Sequence, residues 1–159
     1  IKDLRPIPGR LEFCGLNKKE TKIYVDYAHT PDALTAALFS LRELTEGRLI
    51  TVFGCGGGRD KFKRPIMGEI AENFADSIII TNDNPRNEDP KEIRESILKS
   101  CSSGIEIPER KDAIIKAIDL GEKGDSILIA GKGHEKFQII GSNKTPFSDQ
   151  ETIREIIGA

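Results

Sequence analysis

The chain has 159 residues, 37% of them hydrophobic and 31% charged, with a net charge of −2. That is the size and balance of one folded globular domain rather than a disordered chain. It gives no cationic field that would favour nucleic acid or an anionic membrane, and no apolar run approaches the roughly 18–20 residues needed to cross a bilayer.

Cysteine is scarce. Cys14, Cys55 and Cys101 form no CxxC or CxxH pair, so neither a disulfide framework nor a zinc site is expected. They read as plain thiols, and a reducing, cytoplasmic compartment is the simplest setting. No signal peptide is visible. The chain opens on Ile1 rather than Met, and IKDLRPIPGR is polar with two prolines. This opening reads as a linker, and the chain as a piece of a longer one.

In chain order, KIYVDY (Lys22–Tyr27) is a first β-rich run. Pro31 then opens a helix to Leu44, with Leu34, Leu38 and Leu41 on one face. Proline suits a first helical position because its missing N–H is not needed there. RLITVFGC (Arg48–Cys55) is nearly continuous in apolar residues, as a parallel strand covered on both faces would be. A glycine-rich loop (Gly54–Arg59) and a helix from about Arg64 to Phe74 follow. DSIIITND (Asp76–Asp83) is a third strand, and Pro90 begins a helix to about Ser100. GIEIP (Gly104–Pro108) is a short fourth strand and Arg110–Leu120 a helix. DSILIAG (Asp125–Gly131) is a fifth strand, and KFQIIG (Lys136–Gly141) reads as a strand, with an antiparallel course expected. Asp149 reads as the cap of a final helix with acidic early turns. Strands separated by helices predict an α/β fold, a Rossmann-like, mostly parallel sheet flanked by helices, in one domain over 1–159.

The unusual sequences all follow strands, where ligands of such folds sit. GCGGGRDKFKRP exposes backbone N–H groups and adds Arg59, Lys61, Lys63 and Arg64, which suits an anion. It also reads as a tight turn before a solvated basic helix start. It is no dinucleotide fingerprint, since Arg59 stands where GxGxxG needs its last glycine, and no Walker A sequence occurs. A self-contained ATPase is therefore not expected. In TNDNPRNEDP, Asp83, Asn84 and Pro85 make a turn, and the Arg86 guanidinium is shaped for a carboxylate. In AGKGHE, two glycines flank Lys132, and Glu135 suits an amine. HExxH is absent, so no catalytic zinc is expected. In DYAHTPD, Asp26 closes a strand as the ribose-binding acid of dinucleotide sites does. Thr30 capping with a packed His29 is the plainer reading. Each loop alone has such a structural account, but four together argue for a site.

PGRLE, VDYAHTPDAL, GGGRDKFKRPIMGEIA, TNDNPRNEDP, GDSILIAGKGHEKFQ and FSDQE, in this order and over almost the whole chain, resemble the C-terminal domain of the Mur ligase family. The likeness is to its diaminopimelate-adding branch. The resemblance implies a three-domain enzyme of the bacterial cytoplasm, with the UDP-sugar domain and the central P-loop domain absent from this chain. The central domain would hold the magnesium ligands and a carbamylated lysine. The resemblance further implies that ATP phosphorylates the D-glutamate carboxylate of UDP-MurNAc-L-Ala-D-Glu, a peptidoglycan precursor. The amine of meso-diaminopimelate then attacks the acyl phosphate, with release of phosphate. Arg10 and Asp26 match positions that contact ATP, Asp26 on the ribose, and His29 matches a histidine near the nucleotide. Arg59, Asn84, Arg86, Gly131 and Glu135 match positions that hold meso-diaminopimelate, whose distal carboxylate an arginine would pair. Neither a metal site nor a confident catalytic residue is assigned to this chain, and no nucleic acid or membrane partner.

Three other readings stay open on sequence grounds: a lysine-adding ligase, since some relatives with this arginine accept lysine; another ligase of this architecture, such as folylpolyglutamate synthase; and an isolated, non-catalytic nucleotide- or amino-acid-binding module. The resemblance also implies that the domain rotates about the polar opening segment when ATP binds.

Overall fold

The computed structural model describes residues 9–158. The linker and hinge assigned to the opening segment fall mainly on residues 1–8, outside the described residues.

The described residues form eight strands and five helices: β1 (Glu12–Leu16), β2 (Lys22–Asp26), α1 (Pro31–Leu44), β3 (Leu49–Phe53), α2 (Lys63–Phe74), β4 (Ser77–Ile80), α3 (Pro90–Leu98), β5 (Ile105–Glu106), α4 (Arg110–Leu120), β6 (Ser126–Ala130), β7 (Phe137–Ile140), β8 (Asn143–Pro146) and α5 (Asp149–Ile157). The main sheet runs β1-β2-β6-β3-β4-β5. Only β1 is antiparallel, and every other neighbouring pair is parallel. The expected α/β architecture is therefore present.

Strand periodicity explains the two layers. On β3, Leu49 and Phe53 join the core under α1, α2 and α3, while Ile50 and Val52 face α4 and α5. On β6, Leu128 and Ala130 take the first side and Ile127 and Ile129 the second. All five residues of each strand are buried, as central parallel strands require. The Leu34, Leu38 and Leu41 stripe of α1 is buried against the sheet, each leucine contributing about 1.5–3 kcal/mol.

Helix starts follow local chemistry. Thr30 caps α1, accepting the Ala33 N–H, and Pro31 follows it. Asp89 caps α3 ahead of Pro90. Ser148, not Asp149, caps α5; its hydroxyl accepts the Glu151 N–H. Asp149 is instead fully buried in an ion pair, because its position one residue inside the helix faces α4 rather than the exposed N–H groups.

β7 is antiparallel as expected, but it pairs with β8 in a separate two-stranded sheet. β1 and β8 were not anticipated. Strand β6 returns to lie between β2 and β3, while β3, β4 and β5 lead away. The loops after these strands therefore meet at one sheet edge, at a reversal of strand order where α/β folds place ligands. Among the described residues no helix is long and apolar enough to cross a membrane.

Candidate functional site

The loops after β2, β3, β4 and β6 line a cleft of about 520 Å³. Arg59, Asn84, Arg86, Gly131 and Glu135, the five residues matched to the amino acid, all line it, and His29 joins them. Arg10 and Asp26 line a separate, shallower hollow of about 310 Å³, floored by Ala33, Ala36 and Ala37 of α1.

The β4 loop is held rigidly. Asn84 is buried; its amide Nδ2 donates to Glu135 Oε2 at 3.0 Å, and its Oδ1 accepts from Lys132 Nζ at 2.9 Å and the Ile139 N–H at 3.0 Å. Arg86 sits at φ 53, the left-handed region that non-glycine residues seldom occupy. Two backbone bonds to β7 and its turn hold it there: Arg86 N–H to the Ile139 carbonyl at 3.1 Å, and Gly141 N–H to the Arg86 carbonyl at 2.6 Å. Gln138 completes the clamp by donating to the Asp83 carbonyl at 2.9 Å. The hairpin thus fixes where the guanidinium emerges.

The glycine-rich loop is laced to the same segment. Arg86 Nη1 donates to the Gly57 carbonyl at 2.9 Å, and the Gly57 N–H donates to the Asn84 carbonyl at 2.8 Å. A Cβ at Gly57 would fall on the Pro85 carbonyl, so only glycine allows this approach. Glu88 accepts from the Gly58 N–H at 2.6 Å and from the buried Arg64 at 3.0 Å. The Gly58 N–H does most to hold the Glu88 carboxyl below its ordinary range; desolvation opposes it, and the Arg64 guanidinium and Lys61 add to the lowering. Arg59 itself is exposed, a cation at the cleft edge. Phe62, 86% exposed, and Ile66 form an apolar lip.

Gly131 adopts φ 113, and a side chain there would meet Asp83 Oδ2 at 2.6 Å. Lys132 follows with no exposure at all. Asp83 is buried beside the cleft, and desolvation raises its carboxyl, with Arg110 and Lys132 pulling the other way. Beneath the loop, Arg110 and Asp149 form a fully buried pair at 2.8 Å, and Arg110 Nη2 donates to the Ala130 carbonyl at 3.0 Å. The three cysteines carry no chemistry here: desolvation, first among the causes, pushes each thiol up to about 12.

The residues expected to contact the nucleotide are arranged differently. Asp26 Oδ2 accepts the Leu11 N–H and Oδ1 the Ala28 N–H, both at 2.7 Å. Arg10 lies over the Tyr27 ring at 5.1 Å, and His29 packs on the same ring at 4.5 Å. The Arg10 cation and the alanine floor fit a nucleotide laid along α1, and each Asp26 oxygen retains a lone pair for a ribose hydroxyl. Among the described residues no group of three or more His, Cys, Asp or Glu is placed to hold a metal ion.

The sequence reading missed Lys132 as a structural cation, Glu88 as a staple, and Gln138, Arg110 and Asp149. Glycines on both sides of Lys132 were the one available signal, since they mark a loop turning sharply inward.

Residues 9–133 match the family model described as Mur ligase, glutamate ligase domain. The chain is 51% identical, over 94% of its length, to a protein of Agrobacterium fabrum named UDP-N-acetylmuramoyl-L-alanyl-D-glutamate–2,6-diaminopimelate ligase; it covers 30% of that protein. It is 52% identical over 96% of its length to a protein of the same name from Lawsonia intracellularis, covering 32% of it. A solved structure bearing that enzyme name superposes with a TM-score of 0.88 at 39% identity, over 98% of this chain and 32% of the other. A folylpolyglutamate synthase of Mycobacterium tuberculosis, solved with ADP and AMPPCP, shares the fold alone at 19% identity and TM-score 0.66, over 98% of this chain and 33% of that one. The chain spans about a third of the length of the curated relatives it matches.

Proposed function

The chain belongs to the Mur ligase family, and from that premise we propose that it is the amino-acid-binding domain of a ligase that joins meso-diaminopimelate to UDP-MurNAc-L-Ala-D-Glu. The observation that carries this reading is the convergence of Arg59, Asn84, Arg86, Gly131 and Glu135 on one cleft. The rest of the enzyme supplies the UDP-sugar site, the P-loop and the magnesium ligands, and it works in the bacterial cytoplasm.

In this account ATP transfers its γ-phosphoryl group to the D-glutamate carboxylate, leaving ADP and an acyl phosphate. The diaminopimelate amine attacks the acyl carbon, the C–O bond to phosphate breaks, and the amine proton is lost as the amide forms. This domain contributes placement rather than bond-breaking, and placement is worth several orders of magnitude in rate. Arg86 presents its fork to the distal carboxylate that lysine lacks. Glu135, with Asn84 beside it, receives an ammonium, and Arg59 faces a carboxylate or the departing phosphate. Arg10 and Asp26 hold the nucleotide base and ribose at the α1 hollow, with His29 between nucleotide and amino acid.

Arg86 favours diaminopimelate over the lysine-adding alternative: Nη1 is taken by backbone carbonyls, but the remaining N–H groups of the guanidinium would lack a carboxylate in a lysine complex, at a cost of about 1–3 kcal/mol. The full-length enzyme, given ATP, magnesium, UDP-MurNAc-L-Ala-D-Glu and meso-diaminopimelate, should yield a product heavier by one diaminopimelate less water, with ADP and phosphate in equal amounts. Mass spectrometry reads this directly. No adduct with any amino acid would leave only a binding module.

A further inference from the structure

Lys132 has no part in the roles given above, yet it is fully buried directly behind two residues that line the cleft, Asn84 and Glu135. Gly131 and Gly133, both at positive φ, turn the loop around it. Its Nζ donates to Asn84 Oδ1 at 2.9 Å and to Glu135 Oε2 at 3.3 Å. A buried ammonium is unfavourable unless paired and hydrogen-bonded, so the loop carries it at a cost that its bonds to these two residues offset.

The bonds have a directional consequence. An amide side chain can ordinarily sit either way round. Here a donor-only ammonium and the Ile139 N–H converge on the same Asn84 atom, which must be the oxygen. The amide nitrogen is thereby turned to Glu135 Oε2, which receives both it and Lys132 and leaves Oε1 for a ligand. Lys132 also offsets the Glu135 carboxylate, so the pair adds no net charge to the cleft.

We propose that Lys132 is a positioning residue that sets amino-acid specificity, by locking Asn84 and Glu135 in one orientation and cancelling one carboxylate of the cleft. The proposal rests on the ligase reading above. Diaminopimelate carries two ammonium and two carboxylate groups at neutral pH, whereas lysine carries one more positive charge than negative. Without Lys132 the cleft is one unit more negative, and the balance moves toward lysine.

The test uses the full-length enzyme as wild type, Lys132→Met, Glu135→Gln and the double variant, with diaminopimelate, lysine and ATP each varied. Lys132→Met should raise KM for diaminopimelate about tenfold or more and lower the diaminopimelate-to-lysine ratio of kcat/KM by about the same factor, with KM for ATP unmoved. Lys132→Met should cost less in the Glu135→Gln background than in wild type, because part of its effect runs through that carboxylate and the rest through Asn84. Equal losses with both amino acids, effects that multiply independently, or an unmoved KM would each overturn the proposal. If Lys132→Met does not fold, the double variant against Glu135→Gln decides: a further fall in the diaminopimelate-to-lysine ratio, from the freed Asn84 and the lost charge, supports the proposal, and an unchanged ratio defeats it. Wild type forming no adduct with either amino acid would instead defeat the ligase reading itself.

Discussion

The cleft and the α1 hollow both come from loops that follow parallel strands, yet they are built in different ways. In the cleft, the polar side chains are held by other side chains and by the β7–β8 hairpin, with Asn84, Asp83 and Lys132 buried and cross-linked. In the hollow, Asp26 is held only by two backbone N–H groups, and Arg10 rests exposed on Tyr27. The cleft is thus preformed, as the proposed binding of a small, multiply charged amino acid requires. The hollow is one open wall, suited to a ligand whose other contacts come from elsewhere. Preorganisation spares a ligand the cost of ordering its site.

The largest test of that contrast is the support under the cleft. Arg110→Met strands the buried Asp149 carboxylate and should lower stability by about 3–5 kcal/mol, whereas Arg110→Met with Asp149→Leu should recover most of it. Chemical denaturation of the full-length protein measures both. A loss confined to KM for ATP would break the comparison. Next in size, Gly131→Ala forces a side chain into φ 113 and against Asp83, a strain of about 1–3 kcal/mol. KM for diaminopimelate should rise with little change in KM for ATP.

The opposite pattern is expected of Asp26→Asn. It leaves one of the Leu11 or Ala28 N–H groups unpaired and weakens the ribose contact, so KM for ATP should rise about tenfold, roughly 1.4 kcal/mol, and KM for diaminopimelate should stay. The smallest effect belongs to Asp83. Burial raises its carboxyl in the folded state, so the folded protein holds a proton that the unfolded chain has released. Stability is therefore lost as pH rises from the ordinary carboxylate range through the folded value. Asp83→Asn should raise Tm at pH 7 and leave it unchanged at pH 3; an equal shift at both would refute the burial argument.

The strand–helix alternation was legible because proline at helix starts, leucine stripes and unbroken apolar strands are local signals. β1 escaped because EFCGL is short, bulged at Cys14 between Phe13 and Gly15, and only partly buried. β8 escaped because NKTP is fully exposed and its pairing is set by β7 alone. The residues that converge on the cleft were named from their loops, but their supports were not. Arg110 and Asp149 lie 39 residues apart, and Gln138 lies 55 from Asp83. A buried charge or amide is explained only by its partner, and the partner is set by the fold.

The most direct test of the central claim is the ratio of kcat/KM for meso-diaminopimelate to that for lysine in the full-length enzyme, measured for wild type, Arg86→Lys and Arg86→Ala. Losing a charge-assisted fork is worth about 1.5–3 kcal/mol, so the ratio should fall roughly 10- to 150-fold in Arg86→Ala, with only partial retention in Arg86→Lys. A ratio unchanged by Arg86→Ala would contradict the assignment of this cleft to the distal carboxylate of diaminopimelate.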